Sequence, residues 1–397
     1  MPVVREVVIV GAARTPIGDF MGSLKDVPLI RLAAIAGKAA LDRAGISPDT
    51  VDQVLLGHCL QGGAKGNPAR QVQGLIGVPW EAYAATINQQ CSSSLRALEI
   101  GCQEIMLGKN DVVLAAGVES PSQAPYYLFK ARQGYRLFHA DDGPFDSLIW
   151  DGLNCAIMGY HMGITAETLA EEYKISREEQ DELAYTSHTR AAAAIKEGKF
   201  KDEIAPVEIK TRKGTVVVDT DEHPRADVTI EALSKLPPVF KKDGTVTAGN
   251  SSGLNDGAAA VVLMNRNKAE VLGVKPLARV ISTASCGVHP RIMGIGPVFA
   301  IPKALKYAGL EMKDVDYFEI NEAFAAQWLA CNRELKIDMS RVNANGSGIG
   351  LGHPTGSTGV RLVVTMLYEM RRRGAKIGCA SLCAGGGPAI AAVIEML

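Results

Sequence analysis

The sequence predicts an α/β protein: two duplicated, layered α/β halves with a loop domain inserted between them. Three observations predict it. Short apolar runs of strand length alternate with amphipathic helical stretches, which implies a parallel or mixed sheet covered on both faces. An internal repeat is visible: Ala40-Leu41-Asp42-Arg43-Ala44-Gly45-Ile46, then Val51-Asp52, returns as Ala304-Leu305-Lys306-Tyr307-Ala308-Gly309-Leu310, then Val315-Asp316, at a constant offset of 264. A period that long means duplicated domains, not a solenoid. Between the copies, roughly 119–249, the composition changes, loop-like at first and then helical.

In chain order, Val7-Val8-Ile9-Val10 follows charged Arg5 and Glu6 and reads as a buried strand, too short for a signal-peptide core. The first repeat copy reads as a helix ending in a Gly45 C-cap, followed by a strand. Ala85-Thr86-Ile87-Asn88 is a strand end. Leu95, Leu98, Cys102 and Ile105 mark one helix face, closed by Gly108, before the buried strand Val112 to Ala116. The insertion opens with Pro121, Pro125, Gly134 and Asp141-Asp142-Gly143-Pro144. It continues with a helix from Gly163 to Tyr173 and a second from a capping box at Ser176 to Glu179, running to about Glu197. Asp219 to Arg225 is a polar loop, and Ala258 to Met264 is a strand that rejoins the first sheet. The second copy repeats helix, Gly309 cap and strand. Val360, Val363, Val364 and Leu367 then mark a helix that stops near Gly374, and Ile377 to Leu382 is the following strand. The expected limits are 1–118 plus 250–270 for the first half, 119–249 for the insertion and 271–397 for the second half.

Composition excludes several classes. The 397 residues are 47% hydrophobic and 21% charged, enough for a large core. Net charge is −1 with no long Lys/Arg run, which argues against nucleic-acid binding. Lys130, Arg132 and Arg136 form a small basic patch that reads as a solvated loop. No run of 18 apolar residues exists, so no membrane span is expected. The eight cysteines lack paired zinc-like spacing; no metal site is expected, a reduced cytoplasm is the simplest setting, and most should be small buried hydrophobes.

Three cysteine- and histidine-bearing segments carry the candidate chemistry. Cys91, in Asn88-Gln89-Gln90-Cys91-Ser92-Ser93-Ser94, sits at a predicted helix N-terminus, where N–H groups and the macrodipole lower a thiol pKa. That suits a covalent nucleophile, while a buried inert thiol is the commoner state of a free cysteine. His353, between Gly352 and Pro354, can take a proton from Cys91 or serve as a hydrogen-bonded loop histidine. Cys383 precedes Ala384-Gly385-Gly386-Gly387. It can be a second acid–base group with the Gly385 N–H holding an oxyanion, or a strand-end cysteine before a tight turn. Asn321 can fix a water or orient His353, or cap a helix. Residues 346–352 do not satisfy GxGxxG, and no phosphate-binding P-loop exists. A cysteine protease would leave the Cys383 glycine run without a reason.

Together these residues closely resemble the thiolase family, of the acetyl-CoA acetyltransferase type, over essentially the whole chain. The matching stretches are 11–18, 88–91, 159–167, 247–258, Asn321-Glu322-Ala323-Phe324, Gly352-His353-Pro354 and Cys383 to Gly387. The resemblance implies the thiolase fold and a ping-pong Claisen reaction of a 3-ketoacyl-CoA with coenzyme A, with no permanently bound cofactor. By the resemblance, Cys91 carries the acyl group and His353 activates it. Cys383 handles the proton on carbon. Asn321, through a water, and His353 form one oxyanion hole; the N–H groups of Cys91 and Gly385 form the other. His161, Met162, Arg225, Phe240, Ala248, Ser252 and Ala323 match coenzyme A or pantetheine contacts. A homodimer or homotetramer is implied.

Two departures flank the expected acyl pocket: Ser92-Ser93-Ser94 where the family usually has Gly-Ser-Gly or Ala-Ser-Gly, and Pro388-Ala389 where Met-Gly or Gln-Gly is usual. With Tyr126-Tyr127-Leu128-Phe129 and Trp150 in the insertion, they leave open an aromatic or branched 3-ketoacyl-CoA, as in the benzoylsuccinyl-CoA thiolases. Some of those work with a small zinc-binding partner protein. Ala232 stands where the biosynthetic type often has a coenzyme A-contacting serine. A thiolase-like acyl-CoA-binding subunit with little activity alone is the reading from another class. A ketoacyl synthase shares the fold but lacks a reason for the Cys383 loop.

Overall fold

The computed structural model describes residues 5–135 and 143–397; Arg136 and Asp141-Asp142 lie outside the described residues. Its frame is one mixed sheet. The strands run, in spatial order, Tyr317–Ile320, Ile377–Cys383, Pro388–Met396, Ala278–Gly287, Val7–Arg14, Asn255–Asn265, Val112–Glu119, Gln53–Gly57 and Tyr83–Ile87. Among the described residues, the two halves of this sheet pair at Val8–Arg279 and Ile9–Ala278.

Each half has the same local plan. In both, a helix ends on a glycine in the left-handed region, Gly45 and Gly309, and the next strand begins at Gln53 or Tyr317. In both, the aspartate ahead of that strand accepts two backbone N–H groups of a neighbouring strand's start: Asp52 from Asp111 and Val112, Asp316 from Lys376 and Ile377. The first half has a fifth strand, Tyr83–Ile87; among the described residues the second has a single parallel bridge at that place, Phe318 with Val342.

Apolar periodicity sets the layers. Helices Leu29–Ala44 and Pro68–Ile76 cover the outer face of the first half-sheet. Helices Pro297–Ala308 and Ala325–Leu335 cover that of the second. Helices Ser93–Met106 and Thr355–Arg373 form the shared middle layer, with Leu95, Leu98, Cys102 and Ile105 packed against Val360, Val363, Val364 and Leu367. These middle helices touch closely: a Cβ on Gly359 would lie 2.6 Å from Leu95. Both also press on Gly117, where a Cβ would meet Ser94 and the Gly356 carbonyl at 2.5 Å. Their N-termini therefore open at the same end of strand Val112–Glu119.

The insertion carries the helices Met162–Glu172 and Arg177–Lys196, the latter opened by the expected capping box of Ser176 and Glu179. The polar loop 219–225 is tied inward. Asp221 is buried and forks onto Arg14 at 2.7 and 2.9 Å, while Arg14 Nε reaches Glu203 at 2.6 Å. That buried cluster joins the N-terminal strand to the insertion. No helix among the described residues is long and apolar enough to cross a membrane.

Candidate active site

Cys91 and His353 occupy matching places, each two residues ahead of a middle helix that begins at Ser93 or Thr355. Cys91 is thus not the first residue of its helix, as the sequence suggested. Gln90 takes a left-handed φ of 50°, Ser92 is the N-cap, and the Ser92 and Ser93 hydroxyls donate back to the carbonyls of Gln89 and Gln90. The expected depression of the Cys91 pKa is not found. Burial pushes the thiol up to about 11, and hydrogen bonds from the Gly385 N–H and its own N–H hold back only part of that rise. As a residue Cys91 is only partly buried, but its sulfur is enclosed by the loops that meet there.

His353 is held from both sides. Its N–H donates to Asn255 Oδ1 at 3.0 Å, and a Cβ on Gly352, at φ 100°, would lie 2.5 Å from the Asn255 side chain, so glycine is required there. Its Nδ1 lies 2.7 Å from Thr358 Oγ1. The Thr358 hydroxyl donates to the Pro354 carbonyl at 3.0 Å, so it accepts from Nδ1–H, which leaves Nε2 with its lone pair. Burial, helped by the Arg361 cation, pulls the His353 pKa down to about 3, so the ring is neutral. Asn321 Nδ2 lies 3.4 Å from Nε2, and Asn321 Oδ1 is buried without a protein partner. Asn321 is not a helix cap; the next helix starts at Ala325 behind Phe324.

Cys383 ends the strand Ile377–Cys383, and 384–387 is the hairpin turn into Pro388–Met396, closed by Ala384 N–H to Pro388 carbonyl at 2.8 Å. Burial raises the Cys383 pKa well above normal, and nearby Cys91 and Cys331 add to it. Two adjacent thiols cannot both ionise cheaply, so one is a poised acid when the other is an anion.

A cleft of about 340 Å³ leads to His353, lined by His161, Phe240, Ala248, Ser252, Phe324 and Leu148 among others. His161 stacks on Phe240 at 4.6 Å and caps its own helix through Gly163 N–H. A second cleft of about 560 Å³ shares Ala248, Ser251 and Gly253 with the first and carries Arg225 and Ala232. Met162 and Ala323 lie beneath the walls. Met162 packs on Gly385, and the Ala323 carbonyl accepts the Ser252 N–H at 3.0 Å. Of the sequence-predicted residues, His161, Phe240, Ala248, Ser252 and His353 line the first cleft and Arg225 and Ala248 the second, whereas Cys91, Asn321, Cys383 and Gly385 line neither.

Three expectations about specificity fare differently. Ser92, Ser93 and Ser94 are fully buried, and Ser94 Oγ accepts the Val360 N–H at 3.0 Å across the middle layer. Ala389 packs against Gly296, where a Cβ would lie 2.3 Å away. Neither departure lines the cleft. Phe129, Phe145, Trp150 and Tyr127 form a ring cluster with centroids 5.1–5.5 Å apart, but Phe129 and Trp150 are exposed and lie outside the cleft lining. Lys130 and Arg132 are exposed, as expected of a surface loop.

Sequence reasoning missed His58, Glu119, Thr358 and Arg361. The only local signal was a lone charged or titratable residue closing an apolar strand, as Glu119 does after Val112 to Val118 and His58 after Gln53 to Gly57.

The thiolase N-terminal domain model matches residues 7–267 and the thiolase C-terminal domain model residues 274–396. The chain belongs to the thiolase family. It is 51% identical over 395 residues to an acetyl-CoA acetyltransferase of Syntrophomonas wolfei, covering 99% of this chain and 100% of that one. The solved structure of an acetyl-CoA acetyltransferase from that organism superposes with a TM-score of 0.97 at 49% identity, over 99% of this chain and 100% of the other. Human mitochondrial 3-ketoacyl-CoA thiolase in complex with CoA superposes with a TM-score of 0.95 at 46% identity, over 100% and 99%.

Proposed function

We propose that Cys91 is the nucleophile of this thiolase, which exchanges acyl groups between coenzyme A thioesters through an acyl-Cys91 intermediate. The activity is that of an acyltransferase with acetoacetyl-CoA-type substrates and coenzyme A as co-substrate. The observation that supports the residue assignment is the approach of the Cys383 turn to the Cys91 loop: a Cβ on Gly385 would lie 3.5 Å from Gln90 Cγ, and the Gly385 N–H favours the Cys91 thiolate.

In thiolysis, Cys91 gives its proton to His353 Nε2 and its sulfur attacks the keto carbon, forming a tetrahedral oxyanion. The carbon–carbon bond breaks, and Cys383 protonates the departing acetyl-CoA enolate. The coenzyme A thiol then attacks the Cys91 thioester, passing its proton to the Cys383 thiolate; acyl-CoA leaves and the Cys91 sulfur takes its proton back from His353. Condensation is the reverse, with Cys383 removing the α-proton. Asn321 with His353 serves one oxyanion, and the N–H groups of Cys91 and Gly385 the other. His161, Met162, Phe240, Ala248, Ser252 and Ala323 form the pantetheine channel, and Arg225 meets the nucleotide end. The insertion, 119–249, acts as the coenzyme A-binding loop domain between halves 1–118 plus 250–270 and 271–397.

A homodimer is the assembly we favour. Strand Tyr83–Ile87 is an unpaired edge without proline or lysine, a template for a second copy. Eight free cysteines suit a reduced cytoplasm. The relatives named above give no support to an aromatic substrate or a zinc-binding partner. Peptide mass spectrometry after incubation with acetyl-CoA tests the assignment: an acetyl group on Cys91 is expected, and its absence there rejects it.

A further inference from the structure

Behind Cys91 and His353 lies a buried ion pair that the reaction above does not use. Glu119 ends strand Val112–Glu119 and His58 follows strand Gln53–Gly57; both are fully buried. His58 Nδ1 meets Glu119 Oε1 at 2.8 Å. Oε1 also accepts the Leu60 N–H at 3.1 Å. Oε2 accepts the Cys59 N–H at 3.0 Å, the Thr355 hydroxyl at 2.9 Å and the Gly356 N–H at 2.9 Å.

One carboxylate therefore grips two loops. The first leads to the nucleophile: Asn88 Nδ2 donates to the Cys59 carbonyl at 3.2 Å, and the Cys59 thiol donates to the Gln90 carbonyl at 3.0 Å, one residue before Cys91. The second is the opening turn of the helix that follows His353. A Cβ on Gly356 would lie 2.8 Å from the Glu119 carboxylate and 2.6 Å from the Val118 carbonyl, so that turn seats directly on the acid.

We propose that Glu119 and His58 are a positioning pair for acyl transfer: Glu119 fixes the separation of the Cys91 and His353 loops, and the His58 imidazolium cancels its charge so that Cys91 can ionise. The proposal rests on the reading of Cys91 as the nucleophile.

The electrostatic need is plain. An uncompensated anion here disfavours a Cys91 thiolate, which is wrong for a nucleophile. Glu119 indeed raises the pKa of Cys91, adding to the larger effect of burial, and that of His353, against the larger effect of burial. Burial opposes charge on His58, but Glu119 and the carbonyls of Val118 and Leu60 raise its pKa overall. Burial likewise opposes charge on Glu119, yet His58 and the Leu60 N–H bring it down to about 2. The other titratable groups facing the pair are Cys59 on its own loop, Cys91 ahead of one middle helix and His353 ahead of the other; Arg361 acts on His353 from the second helix. Glu119 is ionised and its neighbourhood favours the His58 imidazolium, so the pair sums to zero while that proton is held. As pH rises through the elevated His58 pKa, the proton leaves and Glu119 stands alone beside Cys91.

The test is peptide-resolved alkylation of Cys91 by iodoacetamide as a function of pH, in wild type, His58→Gln and His58→Gln/Glu119→Gln. Glutamine keeps a hydrogen-bond donor at position 58 without charge. Near neutral pH, His58→Gln should alkylate Cys91 about tenfold more slowly, as for one pKa unit. The ratio should fall towards one as pH passes the His58 titration. The double variant, again neutral, should return to within about twofold of wild type. Buried Cys102 and Cys379 report any general loosening. An unchanged rate in His58→Gln, a pH-independent ratio, or a double variant slower than the single overturns the proposal. Should Cys91 follow the expected pattern yet take no acetyl group from acetyl-CoA, the coupling stands and the nucleophile assignment fails.

Discussion

The Gly385 N–H favours the Cys91 thiolate, and a Cβ on Gly385 would lie 3.5 Å from Gln90 Cγ, so the hairpin that carries Cys383 also meets the Cys91 loop. A Cβ on Gly385 would lie 2.4 Å from Met162 Cε, which makes this contact tight on its far side. Gly385→Ala should push the turn off Met162 and draw the Gly385 N–H away from the Cys91 sulfur. The expected loss in kcat is about 100-fold, that of one oxyanion donor. Met162→Ala in the same chain should recover part of it. Steady-state kinetics of both variants checks this, and no recovery would point to the left- or right-handed turn geometry of the glycine run instead.

His353 is buried neutral with its pKa pulled down to about 3. A depressed histidine adds stability that is present above its unfolded value, about 6.5, and is lost as pH falls towards the folded value. Thermal melts of wild type should therefore weaken from about pH 6.5 downward, whereas His353→Asn should show a flatter acid limb over the same window. Parallel slopes in the two proteins would assign the acid loss elsewhere, for example to Glu119 below its unfolded value.

Arg14 is fully buried between Asp221 and Glu203. Removing it strands two carboxylates in the core. Arg14→Ala should cost about 3–5 kcal/mol, as for one partner lost from a buried pair. Arg14→Lys should not rescue it fully, because a single ammonium cannot reproduce the fork onto Asp221. Urea midpoints of the three proteins measure this.

Ser94 bonds the Val360 N–H rather than facing the cleft. Ser94→Ala should cost about 1–2 kcal/mol for the stranded buried N–H. The ratio of kcat/KM between acetoacetyl-CoA and a longer 3-ketoacyl-CoA should stay unchanged. A shift in that ratio would return the serine run to the list of specificity elements.

The layered architecture was legible because its signals are local. Periodic apolar positions mark the middle helices, and Gly45 and Gly309 mark the caps of the duplicated unit. What escaped was non-local. Asp221 reads as one more polar loop residue until Arg14, far away in sequence, arrives beside it. Cys91 reads as a helix start until Gln90 turns left-handed and the serine hydroxyls fold back on the preceding carbonyls. Glu119 reads as a strand terminator, and only the packed structure gives it two loops to hold. The cleft residues were legible by family resemblance alone; nothing in their spacing says that Arg225 and His161 belong to adjoining clefts.

The most direct test is the mass of the Cys91 peptide after a short incubation with a 3-ketoacyl-CoA or acetyl-CoA, in wild type, Cys91→Ser and Cys383→Ala. The account predicts a thioester-bound acyl group on Cys91 in wild type and none at that position in Cys91→Ser. Cys383→Ala should still take the acetyl group from acetyl-CoA while carbon–carbon bond exchange falls at least about 1000-fold. An unmodified Cys91 in wild type, or full turnover by Cys383→Ala, would contradict it.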